Sequence, residues 1–307
     1  MNGAVSEICL DKFKTRQFLR DICYQPSISE IDSFSDIKKL SAIFANSPVV
    51  LKAPDSSGSR GFQAFDEIGK ITERDVQYTK QFSKSGKVIV EAKLERTEKL
   101  ISEISVEALW HDGECKVTNI VDRVFIHDAL QYKSLDFITG DVKSPGIEVG
   151  HFNPSFLPSS KMDDIRILYN NIFESLPMAE GLRSLKLDLL IDENDQVVVL
   201  EMTPRSSGGW DSCFSNIAIG GNVQRVFLDY CLGRISEKLA YDEAVAASRL
   251  LSRSFVLGIP EADASNCIGR VFYNSEVFGL DASPEIIVAS AVEKFKKGEK
   301  LETLPIR

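Results

Sequence analysis

The chain is poor in the residues that build metal cages and covalent frameworks. Its three histidines, His111, His127 and His151, are scattered over 307 residues, which argues against a site made of several imidazoles. The six cysteines, Cys9, Cys23, Cys115, Cys213, Cys231 and Cys267, form no CxxC pair, so neither a zinc site nor a disulfide framework is suggested and buried free thiols remain. No window reaches the roughly 18 apolar residues that cross a bilayer, and the N-terminus MNGAVSEICLDKFKTRQ lacks a signal peptide's apolar centre. These absences point to a cytoplasmic protein with no membrane partner. Positive charge is also short. With 36 basic against 45 acidic residues the net charge is −9, and no Lys or Arg cluster is long enough to track a phosphate backbone, so nucleic acid is not expected as a partner. GxSxG is missing as well, and no cysteine has an evident histidine partner.

What is present describes an ordinary globular chain, with 43% apolar and 26% charged residues. Its length favours about two domains, one large α/β domain being the alternative. Helical spacing of Phe13, Phe18, Leu19 and Ile22 predicts a helix over Asp11–Cys23, stopped before Pro26. SFSDIKKLSAIF repeats the pattern up to Phe44, and Pro48 to Lys52 reads as a strand. Residues Phe62 to Ala64 read as a short returning strand, which makes DSSGSRG the loop of a hairpin. ERDVQYTKQFSK predicts a helix and KVIVEAKL a strand. Alternating apolar residues from Ile104 to Leu109 and from Lys116 to Asp128, around HDGE, predict an antiparallel pair with a tight turn. Ala129 to Leu157, rich in Gly, Pro and aromatics, reads as a long loop lining a site. A helix near Lys161–Leu176 precedes the hairpin SLKLDLLIDENDQVVVLEM, and NVQRVFLDYCLG predicts another helix. From about Ile235 short strands and helices alternate as a small C-terminal module.

The hairpin from Leu185 to Met202 carries the clearest chemistry. Closing its loop symmetrically puts Ile191 opposite Gln196, Asp188 opposite Val199 and Lys186 opposite Glu201. Because strand side chains alternate, Lys186, Asp188, Val199, Glu201 and Thr203 then share one face. Asp188 and Glu201 fall on a cross-strand diagonal, about 7 to 8 Å apart, a gap that a metal ion can bridge. Magnesium suits it, since that ion takes oxygen ligands and is shared between one or two carboxylates and substrate phosphates. The hairpin alone equally fits a solvated face on which Lys186 pairs with both acids. Beyond it, TPRSSGGW aims Arg205 past the strand end on a Gly-rich loop that can approach a ligand closely.

Four segments in order resemble the ATP-grasp superfamily, whose members clamp ATP between two α+β subdomains: Asp11-Lys12, VVLKAPDSSGSRG, VIVEAKLE and LDLLIDENDQVVVLEMTPRSSGG. The resemblance covers about residues 8–233. It implies an α+β ATP-grasp fold with a small lid subdomain at about 48–92, a larger metal-binding subdomain at 93–233, and a C-terminal α/β module over 234–307. It further implies that Lys12 and Lys52 bind the phosphates, covered by amides of the loop through Ser57, Gly58, Ser59 and Gly61. Lysine is a compact charge for phosphate, and successive small residues let amides converge on oxygen. Glu91, Ala92 and Leu94 would hold the adenine and Glu103 the ribose. Asp188, Glu201 and Thr203 would bind Mg²⁺ (or Mn²⁺), two ions in all, while Arg205 and Lys186 would act on the transferring phosphoryl group.

The implied activity is a ligase: ATP phosphorylates a carboxylate, an amine attacks the acylphosphate, and an amide, ADP and phosphate result. Small-molecule carboxylate and amine substrates would be the partners. The alternatives are a reaction of the biotin-carboxylase kind, another phosphoryl transfer, and a nucleotide-binding subunit that needs a partner chain. Two departures accompany the resemblance. Thr203 stands where the family usually has asparagine, and a hydroxyl is the weaker metal ligand. The family's usual N-terminal domain of about a hundred residues has no counterpart ahead of Lys12; the alternatives are that it lies on another polypeptide, that a partner chain or a homo-oligomer replaces it, or that it has been cut away from this sequence.

Overall fold

The computed structural model describes residues 3–45, 47–56, 60–97, 103–125, 148–177, 181–206, 223–248, 254–258, 271–273 and 282–296. Two helices open the chain, α1 (Gly3–Leu10) and α2 (Lys12–Leu19). Asp11 separates them: its carboxylate accepts from the main-chain N of Phe13 at 2.8 Å and of Lys14 at 3.0 Å, capping α2. A four-stranded antiparallel sheet follows, built from β1 (Ile28–Ile31), β2 (Val49–Lys52), β3 (Gln63–Phe65) and β4 (Val88–Ala92) in the order β1-β4-β2-β3. Its apolar face carries Val49, Leu51, Val88 and Val90. They pack with residues from the short helix α3 (Ile37–Leu40), Ile68, Ile71, and Val76 of α4 (Glu73–Lys80). Alternation sends Lys52 and Glu91 to the opposite face.

The second sheet is larger: β5 (Glu103–His111), β6 (Glu114–Phe125), β7 (Glu148–Asn153), β8 (Arg183–Ile191), β9 (Val197–Thr203), β10 (Ser254–Gly258) and β11 (Val271–Tyr273). Its order is β11-β10-β7-β6-β5-β8-β9, with every neighbouring pair antiparallel. Asp112 and Gly113, both with positive φ, close the β5–β6 turn as HDGE predicts. Helix α5 (Ser159–Ser175) covers one face through Ile165, Leu168, Tyr169, Ile172 and Phe173, against Val106, Leu185, Leu187, Leu189 and Val199. Near the other end Leu109 packs with Val223 of α6 (Val223–Cys231) and Ala240, Tyr241 and Ala244 of α7 (Glu237–Ala247). A last helix, α8, spans Pro284–Lys296. Among the described residues no helix is long and apolar enough to cross a membrane.

The α+β class with two antiparallel sheets agrees with the sequence reading. Several elements do not. Residues 34–44 begin as a 3₁₀ turn (Phe34–Asp36) and hold only one α-turn, Ile37–Leu40. Helix α1 and strand β1 were not anticipated, and Glu148–Asn153, expected to be irregular, is a strand paired on both sides. Its Gly150 and the following Pro154 read as loop signals, but hydrogen bonding to β6 and β10 overrides them.

The hairpin register also differs from the symmetric closure. The loop has five residues, Asp192 to Gln196, with Asp195 at φ +65°, and Ile191 pairs with Val197 instead of Gln196. Asp192 Oδ1 shapes this loop by accepting from the N–H groups of Asn194 and Gln196 at 3.0 and 2.8 Å. Leu189 then pairs with Val199 but Asp188 with Glu201, so Leu200 has no partner and forms a β-bulge. The bulge leaves Val199 in the core and turns Glu201 onto the face of Asp188. The two carboxylates are therefore direct cross-strand neighbours, not diagonal ones, and Lys186 faces Thr203 rather than Glu201.

Tyr169 joins the helix to the sheet polarly as well as by packing. Its hydroxyl, fully buried, donates to Val106 O at 2.6 Å and accepts from Leu187 N at 3.1 Å. Tyr169→Phe leaves those main-chain groups short of a partner, and urea unfolding should show a loss of about 1 to 3 kcal/mol with an unchanged m-value.

Candidate active site

Lys12 and Lys52, from the first third of the chain, lie in each other's fields, and Lys12 lies also in that of Glu201 on β9. Lys12 opens α2; its main-chain N donates to Pro54 O at 2.9 Å and its Nζ to Ser56 O, which ties the helix start to the loop after β2. Burial lowers the Lys12 pKa, Glu201 opposes that and Lys52 adds to it, so the ammonium lies within the fields of both groups. Lys52 ends β2 and donates to Glu91 Oε1 at 2.6 Å. Gly61 stands where the loop returns. Its φ of +74° suits glycine, a Cβ there would meet Phe82 Cδ2 at 2.9 Å, and its carbonyl accepts from Thr79 Oγ1 at 2.7 Å. Ser57, Gly58 and Ser59 lie outside the described residues.

Glu91 is the most constrained group nearby, with a side chain only 3% exposed. Arg16 of α2, itself 2% exposed, holds both of its oxygens, through Nε at 3.0 Å and Nη2 at 3.3 Å. Burial alone would push the Glu91 pKa up, but the charges of Lys52 and Arg16 reverse this and hold it at about 2. Ala92 follows with its N–H donated to Ser27 O at 2.9 Å, and Leu94 lies between β4 and the bridge that joins Arg96 to Asp192. Glu103 is placed between two guanidinium groups, 2.5 Å from Arg96 Nη2 and 3.7 Å from Arg123 Nη1.

Asp188 and Glu201 face each other on β8 and β9. Lys186 Nζ is 3.0 Å from Asp188 Oδ1 and Arg123 Nη1 is 3.6 Å from it. Thr203 lies opposite Lys186 at the strand end, and exposed Arg205 donates from Nη1 to Ser206 O at 2.8 Å. Arg123 continues the polar face to β7: it donates to Glu148 Oε2 at 2.7 Å, and Glu148 also contacts His151 Nε2. Burial disfavours the charge on Glu148, yet His151 and Arg123 hold its pKa far below the carboxylate range, while Glu148, Asp188 and Glu103 raise that of Arg123. Arg16, Arg123, Glu148 and His151 escape the sequence reading. Only Arg16 carries a signal, standing four residues after Lys12 on the same helix. Most of the loop expected to line the site at 129–157, and the Gly-rich stretch after Ser206, lie outside the described residues.

No family model and no curated protein matches the sequence. Solved structures do. The L-amino acid ligase from Bacillus licheniformis matches with a TM-score of 0.61 at 18% identity, over 85% of this chain and 56% of that one. A biotin carboxylase from Campylobacter jejuni, solved as a βγ-ATP complex, matches with a TM-score of 0.56 at 15% identity, over 83% and 51%. The phosphoribosylglycinamide synthetase from Anaerococcus prevotii gives a TM-score of 0.55 at 14% identity, over 86% and 58%. The chain has the ATP-grasp fold. It spans little more than half the length of each of these proteins, and at such identities the likeness is one of fold.

The resemblance would have the two lysines and the two carboxylates hold a nucleotide with its metal, and the donor set can be tested for that. On the lysine side Ser56 Oγ is buried and makes no hydrogen bond; on the carboxylate side Asp188 Oδ1 is buried and held by ion pairs to Lys186 and Arg123, cations that a magnesium ion would have to displace or share. Among the described residues no group of three or more His, Cys, Asp or Glu could enclose an ion. A pair of carboxylates suits magnesium bound jointly with phosphates and does not suit a metal held by protein ligands alone. The residues therefore fit a magnesium nucleotide.

The buried Glu91 makes a pH prediction. Its pKa is depressed from 4.5 to about 2, so its contribution to stability is present above about pH 4.5 and is lost as pH falls from there through 2. Glu91→Gln leaves Arg16 buried without a counter-charge and should cost about 3 to 5 kcal/mol at pH 7. Its gap from the natural chain in urea midpoint should stay level from about pH 7 to 5 and narrow between about pH 4.5 and 2.

Proposed function

We propose that the chain is the ATP-binding unit of an ADP-forming carboxylate–amine ligase. The observation that carries this is Lys12, whose ammonium is tied to the loop after β2 through Ser56 O and lies in the fields of Lys52 and of Glu201, the cross-strand neighbour of Asp188. Lysines of the first sheet and its preceding helix hold phosphate oxygens; Asp188 and Glu201, aided by Thr203, hold one or two magnesium ions; the chain leaving β4 towards Leu94 receives the adenine and Glu103 the ribose, whereas the Glu91 carboxylate, covered and held by Arg16 and Lys52, serves to seat Lys52 and does not contact the base. Bound magnesium supplies charge neutralisation between the phosphates and the carboxylates. Lys186 lies 3.0 Å from Asp188, and with Arg205 it stabilises the negative charge of the phosphoryl group in transfer.

A substrate carboxylate oxygen attacks the γ-phosphorus, the bond to the bridging oxygen breaks, and ADP leaves. An amine then attacks the acyl carbon, phosphate departs and one proton is released. Positioning and electrostatics do the catalysis, so no protein nucleophile is required. The likeness to a biotin carboxylase favours one second reading, in which bicarbonate is the carboxylate.

An ADP-release screen with amino acids offered singly and in pairs, with and without bicarbonate, tests the proposal. The expected product is an amide detected by mass spectrometry. Strict dependence on bicarbonate would select the second reading. No ADP release over a broad panel, despite binding of magnesium-ATP, would reduce the chain to a nucleotide-binding subunit.

Two variants test the site. Glu201→Gln removes one charge from the metal pair and little volume, and should lower ADP release at least about a hundredfold with the fold retained; unaltered release refutes the metal assignment. Lys52→Met should weaken magnesium-ATP binding about tenfold or more, read by calorimetry.

A further inference from the structure

The guanidinium of Arg16 joins four parts of the molecule. Besides the two bonds to Glu91 on β4, Nη1 donates to Gln25 Oε1 at 3.0 Å, ahead of β1, and to the main-chain oxygen of Val199 on β9. Val199 is the residue before the Leu200 bulge, and the bulge is what aims Glu201 at Asp188. At the other end, Glu91 Oε1 is shared between Arg16 and Lys52. One buried fork thus touches the carboxylate that seats the phosphate lysine and the edge-strand carbonyl beside the metal pair. All three of its nitrogens bond to protein groups, so it acts through other residues and not on a ligand.

Charge gives the fork a second consequence. Arg16 and Lys52 share the one carboxylate of Glu91, which leaves the trio with a net positive charge beside Lys12. Without Arg16, Glu91 and Lys52 would form a neutral pair and the lysine would be held by the carboxylate alone. A lysine at position 16 would keep the charge but could not reach Glu91, Gln25 and Val199 together, because the planar fork is what spans them.

We infer that Arg16 is a positioning residue that couples the phosphate-binding lysine of the small sheet to the metal-binding strand of the large one. The inference rests on the nucleotide reading of the site. Its consequence is that phosphate grip and metal geometry are set by one side chain, and that the coupling needs the fork and not only the charge.

The test is a double-variant cycle read by calorimetric titration with the magnesium complex of a non-hydrolysable ATP analogue. Arg16→Lys should weaken binding about tenfold in the natural background and less than about twofold in a Lys52→Met background. A merely structural role would give the same factor in both. Hydrogen exchange reads the other half of the coupling without depending on affinity. R16K should speed exchange in peptides spanning Val197–Thr203 and Val88–Ala92 and leave that of Ser159–Ser175 unchanged. Binding by R16K equal to that of the natural chain, equal losses in both backgrounds, or exchange raised uniformly or not at all would each overturn the inference. If the natural chain itself does not bind the analogue, the nucleotide reading falls and the coupling with it; if it binds and the cycle shows no coupling, only the inference on Arg16 falls.

Discussion

The structure depends on one buried carboxylate. Glu91 sits on the polar face of the small sheet with its side chain almost fully covered, and it is ionised only because Arg16 and Lys52 lie against it. An isolated charge there would cost several kcal/mol, and even a paired one is a poor source of stability compared with apolar packing. What the pair supplies is geometry. Lys52 cannot wander into solvent while it is held at 2.6 Å, and Arg16 cannot leave without stranding Glu91. The helix that delivers Lys12 is the helix that delivers Arg16, so the position of α2 fixes two of the three cations at once.

The second constraint is the bulge at Leu200. A strand pair without it keeps Val199 and Glu201 on one face, since side chains alternate with a period of two. One unpaired residue breaks that parity: Val199 enters the core beside Leu187 and Leu189, and Glu201 turns to meet Asp188. Directly opposed residues approach to about 5 Å between Cβ atoms, closer than a diagonal pair. Bulges recur next to active sites because they re-aim a side chain without altering the rest of the ladder, and this one lies on the edge strand, where an insertion disturbs only one neighbour.

Much of this was legible in the sequence because it is local. The alternation in Leu185–Met202, the Asp-Gly turn at residues 112–113, the helix that starts at Asp11 and the helix α5 each declare themselves within a few residues. The strand that ends in Lys52, the helix that begins at Lys12 and the shared face of Asp188 and Glu201 were legible for the same reason. What the sequence hid is tertiary. Symmetric closure of the hairpin hides the bulge, because no local residue type marks Leu200 as the unpaired one. Glu148–Asn153 is a strand only because β6 and β10 flank it. Arg16 reads as one more charge on an amphipathic helix until β4 and β9 close over it.

The polar face of the large sheet extends the argument about cost. Glu103, Arg123, Glu148 and His151 are joined in one network that reaches Asp188. Opposed charges at this depth offset the desolvation of their partners and leave little net gain, whereas apolar residues of similar volume would stabilise the sheet more. The opposite face of the same strands shows that this chain builds such packing readily, with Val106, Leu187 and Leu189 fully buried under α5. Two faces of one sheet, with one backbone and one set of strands, have thus been filled by opposite rules. Stability accounts for the face under α5 and does not account for the polar face, whose fixed charges are what the proposed nucleotide site would need. The network makes Asp188 one end of a chain of partners that runs to β7, so the orientation of its carboxylate is set by residues on three neighbouring strands as well as by its own.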